Sequence, residues 1–553
     1  MLSTLFAVLS ITLGLVLLLG AGLVLWLLRW ASAERGWLGP WLARRIAARL
    51  GGFVQPFNTI DPHRPLRLSQ GPQRVAVIGG GLAGIAAATT LAPRGFSVVL
   101  YERNAYLGGK IGGWSHRLTK GSEVPVGHGF HAFFRHYHNL NRFLDQLGLR
   151  ASFAAINDYL ILERGGTALS FAGVERTPVF NLISMARAGV YRWRDILFGQ
   201  AKHELRLLLE YDPLATFARF DQTSFASFAA RAELPPRLRL AFNTFSRAFF
   251  ADEDRMSLAE LIKSFHFYYL SHDGGLLYDY PAADYADGVI APIARHLEQQ
   301  GVTLRLACGV EGLTRDAAGR LRIAGESEAF DHVVLASDVV GTRAIVGAST
   351  FIAEEQPAFA AQLAATRPAQ GYAVLRLWLD RDPRAALPVF FITERLRLLD
   401  AIALCHRIEP AAQDWARQHG GAVLELHCYA LPDDAGDDAA IAAALCAELE
   451  HFLPELRQAQ HRDSHLQVRR DFAAFHVGMH EGRPGLRTPV PGLWLAGDWV
   501  ALPLPAMLME GAFSAGLLSA NAILSSAGLR EEPVLTVPTR GLLARRAPDE
   551  VVR

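Results

Sequence analysis

Apolar and polar positions along the chain follow different periods in different regions. Residues 2–28 contain no charged side chain, a run long enough to cross a bilayer core of about 30 Å at about 1.5 Å per residue. Val75–Ile78 and Val98–Tyr101 are short continuous apolar runs that predict buried strands, with a small-residue helix over Ile85–Leu91 between them. From Phe143 to Leu277 the spacing is mostly helical, clearest in Ala215–Arg231 and Leu234–Phe250. Ser257 and Glu260 form a capping box that predicts a helix through Leu270. Strand-like alternation returns in Gly301–Val310 and Asp331–Ala336 and is cleanest in Ala373–Leu379 and Ala422–Tyr429, which predict half-buried antiparallel strands. A helix is expected over Asp437–Phe452. The tail beyond Arg530, with Pro533, Pro538 and Pro548, is expected to be disordered.

The first predicted strand runs into Gly79-Gly80-Gly81-Leu82-Ala83-Gly84. Gly79 permits the tight turn, Gly81 lets the backbone approach a pyrophosphate, and Gly84 lets the following helix pack on the strand. Phosphates then sit on the positive helix N-terminus, against the turn that carries Leu82 and Ala83. Glu102 ends the second strand, where a carboxylate can accept hydrogen bonds from ribose hydroxyls. Strand, turn, helix, strand and acid in this order specify a bound dinucleotide. The acid alone leaves NAD and FAD open.

Arg103 and the second glycine pair Gly108-Gly109 beside Lys110 favour a longer, enclosed cofactor. This combination resembles the FAD-binding opening of the flavin amine oxidase and carotenoid desaturase superfamily. The resemblance implies that the arginine and second glycine pair hold the diphosphate and ribityl chain, that Gly127 adjoins the cofactor, and that Val310 contacts the adenine through its backbone. Leu493–Asp498 is an apolar strand ending in Gly497-Asp498 and resembles the closing FAD motif of the same group, in which the aspartate binds the ribityl or diphosphate portion. Met509 begins a helix whose first amides can face the flavin pyrimidine carbonyl, where reduced flavin carries negative charge. The implied fold is α/β: an FAD-binding Rossmann-like domain of the glutathione-reductase type with an inserted α+β substrate domain and an N-terminal transmembrane helix.

Residues 127–139 read GHGFHAFFRHYHN, with histidines at 128, 131, 136 and 138. Imidazoles invite a metal, but no acid or cysteine lies within the cluster and its aromatics suit an apolar pocket, so no metal is assigned. Packing at the start of a helix is the plain alternative. The segment is similar to that of carotene desaturases, most of all the bacterial enzymes that turn the β-ring of carotenes into an aromatic end ring. That resemblance implies that His128 to Phe134 pass beside the flavin and line a substrate tunnel. His128 and His131 are the candidates for proton handling, and Phe130, Phe133 and Phe134 for stabilising a carbocation.

The segments then divide as follows: 1–30 anchor, 31–73 juxtamembrane helix and linker, 74–155, 285–345 and 466–530 FAD-binding domain, 156–284 and 346–465 substrate domain (first helical, then antiparallel sheet and helices), and 531–553 tail. With a formal net charge of +1 over 553 residues, the chain lacks the basic excess of a nucleic-acid binder. Cys308, Cys405, Cys428 and Cys446 have no CxxC spacing and read as reduced buried thiols.

Five arginines against one acid between Arg29 and Arg49, with Trp26, Trp30, Trp37 and Trp41 near the end of the apolar run, place the catalytic body on the cytoplasmic side of the inner membrane. Trp37 to Phe53 can form an amphipathic helix on that surface or an ordinary linker helix. A cleaved signal peptide is the competing reading, because Ala31-Ser-Ala33 resembles a cleavage site, but no positive segment precedes the run and the run exceeds the usual length.

Three functions stay open: a carotenoid desaturase or ring-aromatising enzyme with a bilayer-stored apolar substrate and a quinone or oxygen as acceptor; an amine oxidase or squalene-type oxidoreductase of the same superfamily; and a non-catalytic, membrane-tethered FAD protein. If the anchor is real, the full chain stays in the membrane pellet after carbonate washing and its mature N-terminus precedes Glu34; release by carbonate counts against it.

Overall fold

The computed structural model describes residues 38–544 apart from 157, 159, 193–203 and 275–277, and the apolar run 2–28 and the residues beyond 544 lie outside the described residues. Five strands form a parallel sheet in the order Thr303–Arg305, Ser97–Tyr101, Arg74–Ile78, His332–Leu335, Leu493–Leu495. Parallel strands are buried on both faces, which is why they read as continuous apolar runs rather than alternating ones. Gly301–Val310, expected as one strand, pairs only over Thr303–Arg305. It then bends so that Cys308 to Glu311 reach the cavity described below.

Helix Leu82–Leu91 leaves the central strand and packs against helix Leu508–Ser526. Glycine makes the contact possible: a Cβ on Gly516 would overlap the carbonyl oxygen of Ala83, while Gly84 lets the first helix sit on its own turn, where a Cβ would overlap the carbonyl oxygen of Gly79. The two helices thus lie backbone to backbone, with Ala83 and Ala86 filling the space.

A second, seven-stranded sheet runs in the order His461–Arg469, Tyr372–Leu379, Ala422–Cys428, Ala401–Ala403, Phe390–Thr393, Ile161–Leu162, Ala168–Leu169. Its outward residues Leu375, Leu377, Leu424 and Leu426 pack with Ile441, Leu445 and Leu449 of helix Asp438–Phe452 into a separate apolar core. A three-stranded sheet of Phe133–Phe134, Tyr278–Pro281 and Phe153–Ile156 closes one side of the space between the two large sheets.

Several expectations are corrected here. The helix expected over Ala215–Arg231 is two helices, Ala215–Phe220 and Phe225–Arg231, because Ser224 caps the second by accepting from Ser227 N–H. The mostly helical segment also contributes strands Phe153–Ile156, Ile161–Leu162 and Ala168–Leu169, short pieces of which the first two pair with strands far along the chain and the last pairs with its neighbour Ile161–Leu162.

Ser257 caps helix Leu258–Phe265, but Glu260 does not close the box. Its buried carboxylate turns to Arg483 (3.1 Å) and Lys263 (3.4 Å), and these cations hold it below the usual carboxylate range although burial raises it. The helix continues as one wide π turn, His266–Leu270, which brings Tyr268 and Tyr269 to the cavity.

The tail after Arg530 is ordered through its described part. Leu535–Thr536 pairs with Gln55–Pro56, Val534 and Val537 are buried, and Asn139 exchanges hydrogen bonds with Leu535 in both directions (2.7 and 2.8 Å). Prolines alone did not reveal these tertiary partners.

Helix Leu38–Leu50 carries Arg44, Arg45 and Arg49, with Ile46 buried and Trp41 exposed beneath the Arg45 guanidinium (5.0 Å). No described helix is long and apolar enough to cross a membrane.

The backbone contact at Gly516 gives a direct test. Gly516→Val forces the two helices apart, and overpacking of this kind costs about 1–3 kcal/mol or more. Thermal unfolding of the flavin-loaded variant is expected several degrees below wild type, with flavin released at the same transition.

Candidate flavin and substrate site

One cavity of about 760 Å³ runs from the glycine turn into the space between the two large sheets. At its cofactor end the two glycine loops face each other. Gly108 N–H donates to the Gly80 carbonyl (2.8 Å), and Gly81 bridges Gly108 as a parallel pair. A Cβ on Gly109 would stand 3.0 Å from the Gly81 Cα. No side chain fits between these loops, which leaves a groove walled by backbone, the shape a diphosphate needs at a helix N-terminus.

Glu102 organises this groove. Its carboxylate accepts from Gly80 N–H (2.8 Å) through one oxygen and from Asn104 N–H and side-chain amide (both 2.8 Å) through the other. The acid therefore holds the phosphate turn as well as lying where a ribose would sit. Arg103, largely exposed, lies 3.6 Å from Asp338, the cap of helix Val339–Ala348, and both line the cavity. Lys110 lies over the Phe472 ring (4.8 Å). Burial raises the Asp498 carboxyl above its ordinary value, and Lys110 and Arg483 oppose that rise.

Of the residues expected at the cofactor, Gly79, Gly81, Leu82, Ala83, Glu102, Arg103, Gly108, Gly109, Lys110, Val310, Gly497, Asp498 and Met509 all line the cavity. Gly84 instead serves the helix packing. Gly127 is a correction: it ends strand Glu123–Gly127, and its carbonyl accepts from the Gln467 side chain (2.8 Å) away from the cavity wall.

The first turn of helix Leu508–Ser526 presents Leu508, Met509 and Ala512 to the cavity. Behind it, Glu510 reaches out of its own helix to cap another. Its oxygens accept from Asn139 N–H (2.9 Å), the Asn139 side chain (2.9 Å) and Leu140 N–H (3.1 Å), the first turn of helix His138–Gln146. Burial pushes the Glu510 carboxyl up to about 7 against the pull of these bonds. This contact seats residues 128–137 directly beside the flavin helix.

His128, Phe130, His131 and Phe134 line the cavity. Phe133 is a second correction: it points away, fully buried, edge-on to Phe153 at 5.0 Å. In strand Phe133–Phe134 the side chains alternate, so only one of the pair can face the cavity. His136, also in the histidine cluster, stacks on His272 at 3.8 Å and belongs to the core.

The rest of the wall was missed in the sequence. Phe390 stacks on Phe130 (4.3 Å), and Tyr268, Tyr278, Tyr429 and Phe472 complete an aromatic chamber with His427 set into it. Alternation in Ala422–Tyr429 and Ala373–Leu379 already separated two faces. It did not say which face met the cavity.

Burial keeps His128 and His131 neutral. His128 is held near 2, by burial first and then by Arg469, and His131 near 4 by burial, against the pull of its Nδ1 contact with the Gly129 carbonyl (2.7 Å). Cys405, Glu409 and Glu425 bring potential ligand atoms within 4.8 Å of one another. The Arg376 guanidinium, however, bonds Glu409 and lies 3.4 Å from Glu425, so a side chain already supplies the cation.

A family model described as flavin containing amine oxidoreductase matches residues 82–524. The chain belongs to this family. It is therefore a flavin-dependent oxidoreductase whose cofactor is FAD, and the backbone-walled groove fits that group.

Among curated relatives it is 37% identical to a carotenoid phi-ring synthase of Streptomyces griseus, over 84% of this chain and 90% of the relative. It is 27% identical to the protein of the same name from Chlorobaculum tepidum, over 92% and 98%. Among solved structures, a putrescine oxidase double mutant superposes with a TM-score of 0.59 at 16% identity, over 82% of this chain and 99% of that one. An oxidoreductase from Methanosarcina mazei does so with 0.58 at 16%, over 82% and 100%. These structures share the fold.

Two outcomes follow from the geometry. Glu102→Ala removes charge-assisted bonds worth about 1.5–3 kcal/mol each and is expected to weaken FAD retention by at least tenfold, read by flavin fluorescence after gel filtration. His131, His138 and His266, each held near 4 by burial, have folded values below the ordinary 6.5. The unfolded chain therefore binds protons that the folded one refuses, and stability falls as pH drops from about 6.5 to 4. Thermal unfolding across that window should fall steeply and show uptake of several protons.

Proposed function

We propose that the chain desaturates a carotenoid end ring and converts it to an aromatic ring, with FAD as the hydride acceptor. The observation that carries this reading is the continuity of the cavity. The backbone groove for the cofactor opens without a break into the chamber of Phe130, Phe390, Tyr278 and Tyr429. The curated relatives with high coverage are named for forming an aromatic carotenoid ring.

FAD supplies a two-electron acceptor when bound. The protein's share is the rest of the work. Glu102 and the glycine loops fix the cofactor's diphosphate end, and Met509 and its neighbours bring a helix N-terminus toward the flavin ring. Aromatic rings hold the hydrocarbon end group dry and offer π faces to positive charge that develops on it. The neutral His128 and His131 carry no charge to repel such a cation.

The apolar run 2–28 serves in this reading as a single-pass anchor in the cytoplasmic membrane, so that a bilayer-stored substrate enters the chamber without crossing water. A membrane quinone takes the electrons from the same surface.

Expression in hosts accumulating β-carotene and lycopene tests the reading by pigment analysis. The β-carotene host is expected to yield a dehydrogenated pigment with aromatic end rings. No new pigment in either host, with FAD bound, overturns it. Phe390→Ala removes the partner of Phe130, an aromatic contact of about 1.5 kcal/mol, and should lower kcat/KM for the carotenoid roughly tenfold while leaving flavin content unchanged.

A further inference from the structure

The face of the seven-stranded sheet that looks toward the cavity carries charge. Arg376 stands directly opposite Glu425 across strands Tyr372–Leu379 and Ala422–Cys428, Val374 stands opposite His427, and His465 of the outer strand stands opposite Arg376 on its other side. Neighbouring side chains on these strands turn to the other face and form the apolar core with helix Asp438–Phe452. Arg376, Glu425 and His427 are each only 2% exposed. A buried ion pair is often no more stabilising than apolar residues of the same shape, so packing gives no reason for this row.

His427 is where the row meets the chamber. Its ring lies 6.3 Å from Phe390 and 5.6 Å from Tyr429 and lines the cavity. Nε2 faces the Glu425 carboxylate at 3.5 Å. The opposite edge is kept clear by Gly129, whose φ of +111° suits glycine and whose Cβ, if present, would lie 2.7 Å from Cε1 and 3.3 Å from Nδ1 of His427. An imidazole with a carboxylate behind one nitrogen and a ring that borders the cavity has the arrangement of a general base.

We propose that His427 accepts the proton lost by the carotenoid ring, with Glu425 as the carboxylate that orients it and stabilises its charged form. This rests on the function proposed above. Bound FAD would supply the two-electron acceptor: a ring C–H bond would break with both electrons leaving as hydride, so that the substrate is oxidised and the acceptor reduced. Migration of a geminal methyl carries an electron pair between neighbouring ring carbons and changes no atom count. The C–H bond on the adjacent carbon then breaks. Its electrons form the new π bond and its proton passes to Nδ1 of His427, from which it returns to solvent; a quinone would restore the acceptor for the next desaturation.

The surrounding groups suit this role. Burial would raise the Glu425 carboxyl, but Arg376 and then His427 hold it below its ordinary range, so it is ionised and ready to receive an imidazolium beside it. The other groups facing it are His131, Tyr285, Cys405, Glu409 and His465. Arg376 is shared with Glu409, which burial pushes up. His131 is the weaker candidate because burial holds it down to about 4 and, among the described residues, no carboxylate stands directly behind its ring as Glu425 does behind His427.

The test uses the FAD-loaded full chain in lipid–detergent micelles with β-carotene and a short-chain benzoquinone, and reads formation of the dehydrogenated pigment by rapid quench. His427→Ala is expected to keep flavin content and KM within about twofold, to form that pigment roughly a thousandfold more slowly, and to regain at least tenfold on addition of imidazole. His427→Gln keeps the shape and should be equally slow without rescue. Glu425→Gln should lose roughly tenfold or more in rate at unchanged KM. His427→Ala that forms the dehydrogenated pigment within threefold of the wild-type rate, or whose slowness imidazole does not relieve, overturns the proposal. Wild-type enzyme that leaves its flavin oxidised in the presence of β-carotene instead overturns the substrate reading, and the base assignment falls with it.

Discussion

Helix Leu82–Leu91 and helix Leu508–Ser526 meet with their backbones almost in contact, and Gly516 allows that approach by placing no side chain against the Ala83 carbonyl. The two helices come from opposite ends of the body. One follows the phosphate turn and the other follows the closing Gly497-Asp498 strand, so their contact brings both halves of the flavin site to a single place. The chain between residues 91 and 508 returns to the parallel sheet at Ser97–Tyr101, Thr303–Arg305, His332–Leu335 and Leu493–Leu495, and this contact pins its two ends together. Glu510, one turn along, then caps helix His138–Gln146 and carries the restraint from the cofactor to the aromatic segment. A buried carboxylate with three donors has little freedom, so the chamber wall inherits the position of the flavin helix.

The seven-stranded sheet answers a different demand. One face is a conventional leucine core. The other carries aromatic rings, Arg376, Glu425 and His427 in a space from which water is largely excluded. Low polarity there makes any charge formed on a substrate expensive unless a ring face or a carboxylate is nearby. Aromatic lining and a buried anion meet the same requirement, since both offer negative potential to a transient cation without supplying water or a nucleophile that would trap it.

The cofactor end was legible because its signals are local. Turn, close approach and helix start at Gly79 to Gly84 are dictated by φ/ψ and the absence of Cβ atoms over a few residues, and Glu102 and Gly497-Asp498 close strands whose apolar runs identify them. The chamber was legible only in part. Phe130, His131 and Phe134 were found through their neighbourhood, whereas Phe133 sits in the same stretch and faces the core, because residue 134 takes the cavity side of a two-residue strand. Gly127 likewise belongs to a hairpin rather than to the cofactor. Prolines beyond Arg530 suggested disorder, and only the pairing with Gln55–Pro56 and the Asn139 side chain accounts for the order there.

His427 shows where sequence reasoning stops. Its strand could be recognised from alternation, and its place on the same face as Glu425 follows from a period of two. Whether that face met solvent, core or ligand depended on strands Tyr372–Leu379 and Phe390–Thr393 and on a glycine at 129, none of which is near it in the chain. The sequence by itself determined the dinucleotide turn, the strand and helix types and the family, since these rest on short-range backbone sterics. Tertiary structure decided which side chains share the chamber, because facing and register arise from long-range pairing that no local pattern encodes.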